Sequence, residues 1–100
     1  MTAEAQRGIL VGAVRRLVEE ARTERALIPE GAPERQFYLG VEAAADGVLH
    51  PELEMTRTSR WVDQHPPAFR EGFVRTTTLL ATARAAAEAP LQLRLPDPSD

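Results

Sequence analysis

Cysteine, lysine and asparagine are absent from these 100 residues, and tryptophan and tyrosine occur once each. Without cysteine there can be no disulfide, no thiolate-held zinc or iron–sulfur cluster, and no thiol nucleophile. No apolar run approaches the ~20 residues that a membrane span requires. The first residues also lack the basic-then-apolar pattern of a secretory leader, so a soluble, cytoplasmic chain is expected. Serine occurs only as Ser59 and Ser99, neither in a Gly-x-Ser-x-Gly setting. The six glycines are scattered and form no phosphate loop or dinucleotide fingerprint. Nothing here points to an enzyme or to a bound organic cofactor.

What is present is mostly alanine, arginine and acid. All 12 basic residues are arginine, against 15 acidic ones, for a net charge of −3. Arginine makes bidentate contacts with carboxylates and phosphates. Yet abundant alanine and arginine with no lysine or asparagine is also the usage of GC-rich coding. The arginine content is therefore no evidence for nucleic acid. A duplex binder needs a basic face, and the only locally basic stretch is 56–75, with Arg57, Arg60, Arg70 and Arg75 against Asp63 and Glu71.

Residues 1–96 read as one all-α domain of three to four helices, with 97–100 as a disordered tail. Thr2 can cap a first helix over Ala3–Leu27, whose Leu10, Val14, Leu17 and Ala21 recur at four- and three-residue steps, widened by Val11 and Val18. Arg15 with Glu19 and Arg16 with Glu20 fall on its polar side. Pro29 and Pro33 around Gly31 interrupt it. Pro33 then suits the first turn of a second helix reaching Leu49, with Phe37, Val41, Ala44 and Val48 on one line. Gly40 and Gly47 weaken that helix by roughly 1 kcal/mol each relative to alanine. Pro51 ends it. Pro51–Met55 can form a further helical turn, and Ser59 can cap a short helix over Arg60–Gln64. A last long helix is expected over Pro67–Ala89, with Phe69, Phe73, Thr76, Leu80, Ala83 and Ala87 on its stripe. The tail Leu91–Pro96 alternates apolar and polar residues, so it either lies extended in a groove or pairs with its own copy.

A 25-residue helix is ~37 Å long, whereas a compact chain of this size has a radius of gyration near ~13 Å. The first helix should overhang the domain, and small domains bury a modest share of their surface. The expectation is a homodimer, with Leu10, Val14, Leu17, Leu91, Leu93 and Leu95 as its contact surface. The corresponding function is a non-catalytic, self-associating interaction or accessory protein, whose partners are itself and conceivably another protein.

Two rival functions rest on particular residues. Glu42, Asp46 and His50 at i, i+4 and i+8 would share a helix face and offer oxygen and nitrogen ligands to a divalent metal; the plainer alternative is a solvated helix face. Trp61, His65, Phe69 and Phe73, with Tyr38, are candidates to line a small-molecule pocket, or to form a core holding one satisfied histidine. A third reading is a DNA-binding regulator. Thr56–Val62 loosely resembles a helix-turn-helix recognition segment, with Ala43–Val48 in the place of the preceding helix and turn. Against it, Gly47 is too far from Arg60 for the usual short turn, and Pro51 intervenes.

Overall fold

The computed structural model describes residues 3–85 and 93–98. Helix α1 spans Ala3–Leu27, α2 Pro33–Leu49, a 3-10 turn Pro51–Met55, α3 Ser59–Asp63 and α4 Pro67–Ala85. The described residues contain no strand. The expected Thr2 cap and the helical continuation over 86–89 lie outside the described residues. The cap of α3 falls one residue earlier than expected. Thr58, in extended conformation, accepts a hydrogen bond from the Trp61 amide at 3.3 Å, so Ser59 is already inside the helix.

Helix α2 is the centre of the bundle. Both α1 and α4 pack along it and hardly on each other. The link between α1 and α2 is short, and Gly31 supplies its one positive φ, 91°. Arg35 Nη1 closes the link by donating to the Ile28 carbonyl at 3.0 Å. So short a link makes the two helices antiparallel. Arg22 Nε and Arg25 Nη2 then reach the Glu42 carboxylate at 2.8 and 3.2 Å.

The segment 51–66 runs back along α2, so α4 starts beside the start of α2 and runs parallel to it. The two helices touch through reciprocal glycines. A Cβ on Gly40 would collide with the Phe69 carbonyl and lie 2.9 Å from the Phe73 amide nitrogen. A Cβ on Gly72 would collide with the Phe37 carbonyl and lie 3.0 Å from its carbon. Each glycine thus receives the backbone of the other helix one turn earlier, a close approach that only a missing Cβ permits.

The core is built from the predicted stripes. Val14, Leu17, Val18 and Ala21 of α1 meet Phe37, Tyr38, Val41 and Ala45 of α2 and Leu80 of α4, all nearly or fully buried. Leu93 and Leu95 pack half-buried against this cluster, on their own chain. Arg75 anchors the tail. The guanidinium donates to the Asp97 carbonyl at 2.8 Å and to Glu71 at 2.6 Å, and sits 5.7 Å from the Phe37 ring centre.

Candidate functional site

Val14 and Leu17, expected at a contact between copies, are 0% and 1% exposed within one chain, and Leu10 is half-buried on the same core. Within one chain, α2, Leu80 and the tail already pack on this stripe. Leu93 and Leu95 are likewise turned inward, and Leu91 lies outside the described residues. Of the tail expected to be disordered, Asp97 is held by Arg75.

The free face of α1 flanks the buried stripe, with half-buried Val11 at the boundary. From Glu4 to Ile9, every residue whose side chain is described is exposed. Glu4, Arg7, Gly8, Val11, Gly12 and Arg15 line a shallow depression on this overhanging half. Among the described residues, nothing beyond the neighbouring turns of α1 lies within 4 Å of where a Cβ would stand on Gly8 or Gly12. The Gly8-x-x-x-Gly12 spacing is legible in the sequence, but glycine adds nothing to the apolar repeat that marks a helix face.

The metal candidates do not converge. Glu42 is engaged by Arg22 and Arg25 across the α1–α2 seam, and its charge raises the Arg22 pKa through a hydrogen bond and direct attraction. His50 leaves the helix with φ −131° and ψ 78° and pairs with Glu52 at 3.5 Å, so it no longer continues the line of Glu42 and Asp46. Among the described residues, no group of three His, Asp or Glu side chains is placed to hold a metal.

The aromatic candidates do converge, with one exception. The Trp61 and His65 ring centres are 4.3 Å apart, and His65 stacks on Phe69 at 4.0 Å. Phe69 lies parallel to Phe73 at 6.4 Å, and Trp61 meets both phenylalanines edge-on. His65 Nδ1 faces the Trp61 carbonyl at 2.8 Å and therefore carries the hydrogen. Tyr38 is elsewhere, edge-on to Phe37. Its pKa is raised by burial and by the nearby charges of Asp97 and Glu24.

Arg57 ties this aromatic row to α2. Its guanidinium sits 5.3 Å from the Trp61 ring centre and donates to the Ala43 carbonyl. It is thus turned inward along α2, and α3 beside it has only five residues. A recognition helix needs more length and outward side chains. Two grooves open on either side of Arg57. One, of about 360 Å³, runs between α2 and α3 beside Asp46, Trp61 and His65. The other, of about 370 Å³, lies between α2 and α4, with Arg57 and Arg84 at its rim. Neither arginine carried a sequence signal, since both rely on helices that pack only in the folded chain. No described helix is long and apolar enough to cross a membrane. No protein-family model, curated protein sequence or solved structure matches this chain.

Proposed function

We propose that this chain is a non-catalytic interaction protein of the cytoplasm that self-associates through the outer face of α1. The observation that carries the reading is the symmetry of that face. A second α1, turned antiparallel about a point between Ile9 and Leu10, places Glu4 opposite Arg15, Arg7 opposite Gly12 and Gly8 opposite Val11. Each pairing occurs twice, as an isologous contact requires. Acid meets base, and a side chain meets the notch of a glycine. The two glycines also cost the exposed helix about 1 kcal/mol each relative to alanine, which packing by a second helix offsets. The strip is ~17 Å long, well short of the ~800 Å² per partner of a stable interface. The association is therefore weak and reversible, in the micromolar range or above.

Sedimentation velocity over a concentration series tests this. Glu4→Arg and Arg15→Glu should each shift the protein toward monomer, and the double exchange should restore association, with far-UV circular dichroism unchanged throughout. A parent that stays monomeric at every concentration, or a double variant no better than the singles, refutes it.

A further inference from the structure

We infer that the cleft between α2 and α4 binds an organic monoanion: a carboxylate carried on an apolar body of about ten carbons. The helices touch at Gly40 and Gly72, and beyond that crossing the α2 wall of the cleft is made mostly of small residues. Ala43, Ala44 and Gly47 face Phe73, Leu80 and Ala81 across it. The space, about 370 Å³, compares with the ~150 Å³ cavity that accepts benzene, so it accommodates roughly twelve to fifteen non-hydrogen atoms.

The charge at the rim gives the ligand its sign. Arg57 and Arg84 line the cleft, and no acidic residue does among the described residues. Among the described residues, neither arginine forms an ion pair. Arg57 is pre-positioned by the Ala43 carbonyl and the Trp61 ring, so little side-chain freedom is lost when it meets an anion. Arg84 is exposed, in the last turn of α4. A carboxylate between them gains charge-assisted hydrogen bonds while its tail removes apolar surface from water.

The chain carries its own reporter, because its single tryptophan lies under Arg57. We would titrate the full chain with decanoate, following Trp61 fluorescence and titration heat, beside decanol as the uncharged match. Decanoate should bind one to one, and decanol about tenfold more weakly or worse. Arg84→Gln should weaken decanoate by a similar factor and leave decanol unchanged. Ala81→Phe, which puts a ring into the cleft and leaves both arginines in the chain, should abolish binding of both while the far-UV spectrum and unfolding midpoint show an intact fold. Equal affinity for acid and alcohol, undiminished binding by either variant, or no binding at all overturns the inference. The α1 variants of the self-association test lie outside this cleft, so the two readings fail independently.

Discussion

Replacing Gly40 by alanine puts the glycine crossing to a quantitative test. On an open helix surface, that change stabilises by about 1 kcal/mol. At Gly40 the new methyl meets the backbone of α4, with the Phe69 carbonyl inside contact distance and the Phe73 amide nitrogen at 2.9 Å. A backbone cannot rotate aside as a side chain does, so α2 and α4 must separate by about 1 Å, a gap that forfeits a quarter to a half of each contact's dispersion energy. Overpacking of this kind costs typically 1–3 kcal/mol, and a rigid neighbour places it at or above the upper end. Net of the propensity gain, Gly40→Ala should destabilise by about 2–3 kcal/mol, a large part of the ~5–15 kcal/mol available to a chain of this size. That corresponds to a melting point lower by roughly 10–20 °C.

The assay is urea unfolding followed by far-UV circular dichroism and Trp61 fluorescence, at a concentration low enough to keep association out of the balance. Gly12→Ala is the control, since open space surrounds its Cβ position, and it should stabilise by about 1 kcal/mol. Opposite signs for two chemically identical substitutions are the expected result. Gly40→Ala matching or exceeding the parent would refute the crossing. The double variant with Gly72→Ala should lose less than the sum of the singles, because the first methyl already opens the seam that the second would strain.

Two further outcomes follow from buried polar groups. Thr76 is fully buried and its hydroxyl has no hydrogen-bond partner among the described residues, so Thr76→Val, of similar shape, should raise stability by about 1 kcal/mol in the same urea assay. The Tyr38 phenol, its pKa raised by burial and by Asp97 and Glu24, should titrate in 295 nm absorbance above the ordinary value of about 10. The folded state holds this proton more tightly than the unfolded one, so its stabilising share is fully present below pH ~10 and is lost as pH rises through the folded-state pKa. A Tyr38 titration at or below the ordinary value would contradict its placement beneath the tail.

The helices themselves were legible, because local rules decide them. The apolar repeat from Leu10 to Ala21 and the prolines at 33 and 67 set α1, α2 and the start of α4 where they are found. The aromatic row was partly legible for the same reason: Trp61, His65, Phe69 and Phe73 fall at four-residue steps and remain neighbours across the break at Pro66 and Pro67. Tyr38 did not join them, since proximity to Phe37 in sequence says nothing about which neighbouring helix its ring will meet. The line of Glu42, Asp46 and His50 breaks at His50, because an i+8 spacing holds only while the backbone stays helical and Pro51 ends the helix there.

Periodicity states which face of a helix is apolar, but not what will cover it. That is why Val14 and Leu17 read equally well as a surface for a second copy or as the inside of one chain. Folding chose the inside, by bringing α4 and the tail back onto α2. The glycine crossing is the sharpest instance. A glycine in a helix reads alone as a weakness, and it becomes a contact only when a second helix, far off in the sequence, presents its own glycine and carbonyl in matching register. The two arginines of the α2–α4 cleft belong to the same class. Their residue types are written in the chain, but their shared position exists only after the helices have packed.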